Sequence, residues 1–202
     1  MKLLSVGCGG QRDQSEHWWN LDCLRQFLKE GTPERINLDQ ESRYIECDLQ
    51  HEEIPFAPGT FDGVLCQHVI EHFSAHDSVA LIQQCHKVLK AGGVLVCSVP
   101  NAEYFLCRYN EDTREKAEEL FGEPICPDEP EHKSFFDYAL FHPQHQQILT
   151  PSSLRCLLLR GGFVPPYCIY DFQIRNEEEA ATLITQQLNR RRFSSILYAY
   201  KQ

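Results

Sequence analysis

The stretch that decides the fold is residues 2–10, Lys-Leu-Leu-Ser-Val-Gly-Cys-Gly-Gly, in which a short apolar run ends in a cluster of glycines. A run of this length, bounded by glycine, predicts a buried strand that enters a tight turn. After the turn, apolar residues recur at helical spacing over residues 15–29, which predicts a helix. A strand, a glycine turn and a helix together make one βα unit.

The same alternation continues outward from this unit. Residues 35–39, 44–48, 61–67 and 94–99 are predicted strands, residues 78–90 and 150–160 are predicted helices, and residues 163–174 and 195–200 are predicted closing strands. Alternating β and α elements predict a parallel sheet covered on both faces. Ligands of such sheets bind at the carboxyl ends of the strands.

Length and charge narrow the classes of function. The chain has 202 residues, 19 Lys and Arg against 29 Asp and Glu, and a net charge of −10. This length predicts a single domain over residues 1–202, and the negative charge makes nucleic acid an unlikely partner. Residues 102–147 are acidic and rich in proline, and we predict that they form an inserted lid.

Apolar segments and cysteines bear on location and on metals. With no signal-peptide core and no apolar run of about 18 residues, the expected location is cytoplasmic, without a membrane partner. Ten cysteines are present but no Cys-x-x-Cys pair, and several cysteines lie in apolar runs. They are therefore predicted to be free thiols. No His, Cys or Asp cluster has ligand spacing in the sequence, so no metal is predicted.

The glycine turn is the first candidate for chemistry, because glycines let backbone amides approach a ligand closely. A dinucleotide fingerprint would need a third glycine at Arg12, so nicotinamide cofactors are disfavoured. Asp39, at the end of a predicted strand, can accept hydrogen bonds from a ribose diol, and Asp48 can accept one from an adenine amino group. For either aspartate a plain turn or capping role stays open.

Six motifs, taken in order, resemble one family, the class I S-adenosylmethionine-dependent methyltransferases, and within it the small type-11-like group. The motifs lie at residues 4–9, 36–39, 46–49, 54–64 with 68–72, 88–93 with 98–101, and, less specifically, 145–154 with 161–163. The resemblance is close from residue 2 to residue 101. Gln11 departs from the family pattern, which usually has a third glycine there.

The resemblance implies a doubly wound α/β fold of three layers, with a seven-stranded, mostly parallel sheet whose last strand is antiparallel. It also implies S-adenosylmethionine as cofactor and S-adenosylhomocysteine as product. The cofactor-binding residues would be Gly7, Cys8, Gly9, Asp39, Asp48, Leu49 and Gln67. Asn20-Leu-Asp22 repeats the pattern of Asn37-Leu-Asp39. We favour Asp39 as the ribose ligand because Asp22 falls within the predicted helix.

Methyl transfer is an in-line displacement, and a catalytic base is optional. His68, His142 and His145 are the candidate bases, although His68 is also readily explained as a structural histidine. Glu71 and His72 are predicted to begin the helix that follows. The expected acceptor is a small molecule. Two alternatives stay open: an inactive cofactor-binding partner or sensor protein, and an aminopropyl transferase whose acidic residues grip a polyamine.

Overall fold

A computed structural model gives the fold, and it describes residues 1–9, 16–23, 43–102, 143–164, 167–168 and 194–202. The strands within these ranges form one seven-stranded sheet in the order β3-β2-β1-β4-β5-β7-β6. In chain order the strands are β1 Leu3–Val6, β2 Trp18–Asp22, β3 Tyr44–Glu46, β4 Phe61–Gln67, β5 Leu89–Pro100, β6 Tyr167–Cys168 and β7 Ser194–Tyr200.

Strand directions confirm the predicted fold class. The pairs formed among β1 to β5 are parallel, whereas β7 runs antiparallel to both of its neighbours, β5 and β6. The strand order reverses between β1 and β4. In sheets of this kind the crevice outside the carboxyl ends of those two strands is the place where ligands bind.

Two helices cover one face of the sheet: α1, Ala75–Val88, and α2, Pro151–Arg160. Ser74 caps α1 by accepting a hydrogen bond from the Asp77 amide at 3.2 Å, so α1 begins one turn earlier than predicted. Thr150 caps α2 ahead of Pro151, as the sequence indicates. Apolar residues of both helices join Leu4 and Val6 of β1 in one buried cluster.

The prediction of a helix over residues 15–29 is wrong for residues 18–22, which form β2. Trp18 and Leu21 are spaced as on a helix face, but Trp18, Asn20 and Leu21 are all buried. A central parallel strand is buried on both faces and reads as a nearly continuous apolar run, which is easily mistaken for a helical stripe. The strand that follows β1 among the described residues is therefore β2.

A second, smaller difference concerns Glu71 and His72. They belong to a separate 3₁₀ helix, Ile70–His72, and do not begin α1. Several predictions lie outside the described residues, among them the strand at 35–39 with Asp39, residues 103–142 of the predicted lid, and His142. Among the described helices, none is long and apolar enough to cross a membrane.

Candidate active site

The glycine turn lies at the carboxyl end of β1. Gly7 and Gly9 have φ angles of 64° and 55°, in the left-handed region that favours glycine. The Gly7 amide donates to the Leu21 carbonyl at 2.8 Å, which ties the turn to β2. A Cβ atom on Gly7 would lie 2.3 Å from Cγ2 of Val69, whereas none of the described residues has an atom within 4 Å of that position on Gly9. The turn is therefore packed at Gly7 and open at Gly9.

Asp22 ends β2, and its carboxylate holds this turn. Oδ2 accepts a hydrogen bond from the Gly9 amide at 2.7 Å, and Oδ1 accepts one from the Cys23 amide at 2.7 Å. An ionised carboxylate has about four lone-pair sites, so each oxygen of Asp22 retains room for a further donor. The position at the end of the second strand, which the sequence analysis gave to Asp39, is occupied by Asp22. The argument against Asp22, that it lies in a helix, therefore no longer holds.

Asp48 and Leu49 follow β3 in a turn. The Asp48 carboxylate accepts from the Gln50 amide at 3.0 Å and lies 2.9 Å from Nδ1 of His51. Leu49 is partly buried against the main core. The turn role that the sequence analysis left open for Asp48 is thus present in the structure, and the contact with adenine stays a prediction.

Negative charge collects at this edge of the sheet. Burial, followed by the charges of Asp22 and Asp48, raises the pKa of Cys23 to about 11. Burial, with Glu52 and Asp48, raises the pKa of Cys47 to about 11 as well. Both thiols are therefore neutral at physiological pH, and a cationic ligand would be favoured here.

His68 follows Gln67 at the carboxyl end of β4, in a strained backbone conformation with φ of 54°. Its Nδ1 lies 3.2 Å from Oε1 of Glu71, and its Nε2 lies 2.8 Å from Oγ of Ser194 on β7. Because a carboxylate can only accept, the neutral form of the ring would donate from Nδ1 to Glu71 and accept a hydrogen bond from the Ser194 hydroxyl at Nε2. Both ring nitrogens are thus used within the protein, which supports the structural role; a base role for His68 stays a prediction.

Three residues that the sequence analysis did not group come together beside His68. One ligand atom from each of Glu71, His72 and His145 lies within 4.8 Å of the others. His145 is far from the other two in sequence, so no local spacing could reveal the cluster. The cue that was available is that both histidines belong to motifs of the resemblance, at residues 68–72 and 145–154.

A family model described as "Methyltransferase domain" matches residues 4–97. These residues include β1 to β4, α1 and most of β5, and hence the glycine turn, Asp22 and His68. The match confirms the resemblance noted from the motifs.

The chain is also similar to curated proteins and to solved structures. A ubiquinone biosynthesis O-methyltransferase of Xylella fastidiosa strain M23 is 31% identical in an alignment 110 residues long, which covers 50% of this chain and 42% of that protein. The match therefore spans less than half the length of this relative.

Two solved structures share the fold at low identity. An S-adenosylmethionine-dependent methyltransferase of Thermotoga maritima, described as a possible histamine N-methyltransferase, has a TM-score of 0.57 at 14% identity. That alignment covers 100% of this chain and 82% of the other. A second such methyltransferase, from Archaeoglobus fulgidus, has a TM-score of 0.52 at 14% identity, over 99% of this chain and 86% of the other.

Proposed function

We propose that this chain transfers a methyl group from S-adenosylmethionine to a small-molecule acceptor. Its family match and its fold are those of a class I S-adenosylmethionine-dependent methyltransferase. The observation that carries the proposal is the glycine turn after β1, held by the carboxylate that ends β2 at the point where the strand order reverses. This is the position at which doubly wound sheets bind nucleoside ligands.

The residues at this position fit such a cofactor. The turn is open at Gly9, so its backbone can approach a ligand closely. Asp22 has the remaining acceptor capacity that two ribose hydroxyls require. The negative charge of Asp22 and Asp48 suits a ligand that carries an ammonium and a sulfonium group.

When bound, S-adenosylmethionine supplies a methyl group from its sulfonium sulfur. The acceptor atom gains the methyl group, and S-adenosylhomocysteine is the thioether that leaves. The protein's part is to hold the two reactants in line and to exclude water. We assign the turn at Gly7, Cys8 and Gly9 to the amino-acid part of the cofactor. Asp48, Leu49 and Gln67 would flank the nucleoside.

For the ribose ligand we now propose Asp22 in preference to Asp39. Asp22 lies at the end of the strand beside β1 and contacts the glycine turn directly. Asp39 lies outside the described residues.

An oxygen acceptor is the finer proposal. It is supported by the curated relatives whose names specify O-methylation, across half of this chain. A hydroxyl acceptor must lose a proton during transfer, which makes a nearby base useful. His68, His142 and His145 stay the candidates. His145 lies in the cluster beside the end of β4, whereas His68 would first have to release Ser194.

Calorimetric titration tests the binding part of the proposal. We expect S-adenosylmethionine and S-adenosylhomocysteine to bind the wild-type chain, and NAD not to bind. Asp22→Ala should weaken both adenosyl ligands by at least tenfold, while the matched control Asp39→Ala should leave their affinity unchanged. The reverse pattern would return the ribose role to Asp39. If neither adenosyl ligand bound the wild-type chain, the cofactor assignment would be wrong.

A methyl-transfer assay then separates the enzyme from its alternatives. Acceptors with a hydroxyl group should accept a labelled methyl group, and amines and thiols should accept less. Tight cofactor binding with no turnover on any acceptor class would favour the partner or sensor protein. Transfer of an aminopropyl group from decarboxylated cofactor to a polyamine would favour the third possibility.

A further inference from the structure

We propose that Glu71, His72 and His145 form a binding site for a divalent transition-metal cation. Two imidazoles and one carboxylate make a ligand set that suits Zn²⁺ and related cations. The three ligand atoms lie within 4.8 Å of one another. In a tetrahedral site with bonds of about 2.1 Å, ligand atoms lie about 3.4 Å apart, so modest side-chain rotation closes the site.

The buried carboxylate of Glu71 is the strongest independent indication of a ligand. Glu71 is only 2% exposed, and its Oε2 has no hydrogen-bond partner among the described residues. A buried carboxylate oxygen without a partner is costly, and native proteins rarely leave one unexplained. A cation between Glu71 and the two histidines would satisfy it.

His68 provides the support that metal-binding carboxylates usually have. Its Nδ1 lies 3.2 Å from Oε1 of Glu71, and Ser194 fixes the other side of the ring. Ligating carboxylates are commonly hydrogen-bonded in this way by an outer residue that orients them. Glu71 thus keeps one oxygen for His68 and one for a cation.

The segment that carries His145 is fastened to the 3₁₀ helix by hydrogen bonds of Gln146 and Gln147. The Gln146 amide donates to the Glu71 carbonyl at 2.7 Å, and Gln146 Nε2 donates to the His72 carbonyl at 2.8 Å. Gln147 Nε2 donates to the Phe73 carbonyl and to Ser78 Oγ, both at 2.7 Å. The rings of His72 and His145 are thereby held edge to face, with centroids 4.7 Å apart.

The donor set also indicates which class of cation fits. Mg²⁺ and Ca²⁺ prefer oxygen ligands, whereas imidazole suits zinc, cobalt, nickel, copper and iron. Three protein ligands leave a coordination position open for water or another small ligand. The site follows the carboxyl end of β4, and His145 cannot act as a base while it binds a cation.

Equilibrium dialysis against Zn²⁺, with Co²⁺ absorption as a second readout, tests the site without reference to activity. The number of tightly bound Zn²⁺ equivalents should be one higher for the wild-type chain than for His145→Ala or His72→Ala. Its Co²⁺ spectrum should show d–d bands without the charge-transfer band that thiolate ligands produce. Glu71→Gln should weaken binding at least tenfold.

The matched control is His76→Ala, because His76 is an exposed histidine on α1 outside the cluster. It should bind as the wild-type chain does. Equal Zn²⁺ binding by the wild type, His72→Ala and His145→Ala would overturn the proposal, as would a thiolate-type Co²⁺ spectrum. Circular dichroism of each variant shows whether it is folded. If Glu71→Gln fails to fold, His145→Ala still tests the site, because Gln146 and Gln147 anchor the segment that carries His145.

Discussion

Gly7 and Gly9 share a left-handed backbone conformation but differ in what surrounds them. Substitutions at these two residues therefore distinguish a packing role from a ligand-binding role. A Cβ on Gly7 would meet Val69 at 2.3 Å, whereas Gly9 faces open space. Gly59 is also left-handed, with φ of 69°, also faces open space, and lies outside the proposed site. It therefore serves as a control for backbone strain alone.

We expect Gly9→Ala and Gly59→Ala each to lower the free energy of unfolding by about 1–2 kcal/mol, the cost of a left-handed alanine. Gly7→Ala should cost more, because Val69 must also move. Only Gly9→Ala, of the two equally strained variants, should lose affinity for S-adenosylhomocysteine. Denaturant unfolding and calorimetry measure the two effects. Unchanged cofactor affinity in Gly9→Ala would remove the glycine turn from the site.

His68 links β4 to β7, and a double-mutant cycle measures that link. His68→Ala removes the hydrogen bonds to Ser194 Oγ and to Glu71 Oε1, and the loss of a bond to a buried polar group costs about 1–3 kcal/mol. Ser194→Ala removes one bond and should cost about 1 kcal/mol. The loss of stability in the double variant should be smaller than the sum of the losses in the two single variants, because each single variant already loses the hydrogen bond between His68 and Ser194. Strict additivity, measured in the presence of a chelator, would show that the bond contributes nothing.

At the scale of elements, most of the sheet could be predicted because buried parallel strands carry a strong local signal. Residues 61–67 read as a strand and form one, and Thr150 with Pro151 marks the start of α2. β2 could not be predicted this way, since Trp18 and Leu21 fit a helical stripe as well as a buried strand. Only pairing with β1, which is a long-range contact, decides between the two. The choice of Asp39 over Asp22 followed from that single error.

Asp62, near the amino end of β4, contacts Lys2 just before β1 and Lys90 near the start of β5. It gives the stability a pH dependence that can be measured. It accepts hydrogen bonds from the Lys2 amide at 2.7 Å and from Lys90 Nζ at 2.5 Å. Burial alone would raise the pKa of Asp62, but the bonds from Lys90 and Lys2 outweigh it, and the pKa is lowered.

A lowered pKa in the folded state stabilises the protein above the unfolded-state value of about 3.9, and this stabilisation disappears as the pH falls through the folded-state pKa. We therefore expect the stability difference between wild type and Asp62→Asn to be full at pH 6 and to shrink below about pH 4. Glu53→Gln is the control, because Glu53 pairs with Lys87 on the exposed surface. A difference that stayed constant down to acid pH would contradict the assignment.

At the scale of the whole molecule, the proposed sites draw on parts of the chain that are far apart in sequence. The glycine turn, Asp22 and Gln67 end neighbouring strands, so a parallel-sheet prediction already places them at one edge. The strand order of a parallel sheet does not predict that Glu71, His72 and His145 lie together. His145 reaches the others through the hydrogen bonds of Gln146 and Gln147, which no sequence period encodes.

Because the cofactor site joins the ends of β1, β2 and β4, a bound ligand should stabilise the folded molecule as a unit. A ligand that binds only the folded state at 100 times its Kd contributes about 2.7 kcal/mol. For a chain of this size, that corresponds to a rise in Tm of about 5–11 °C. We expect this rise with S-adenosylhomocysteine in thermal unfolding of the wild type and of Asp39→Ala. In Asp22→Ala, whose affinity should be at least tenfold weaker, the rise should be at most about half as large. An equal rise in Asp22→Ala would show that the ligand binds elsewhere, because that carboxylate, which accepts from the Gly9 amide, is the proposed ribose ligand.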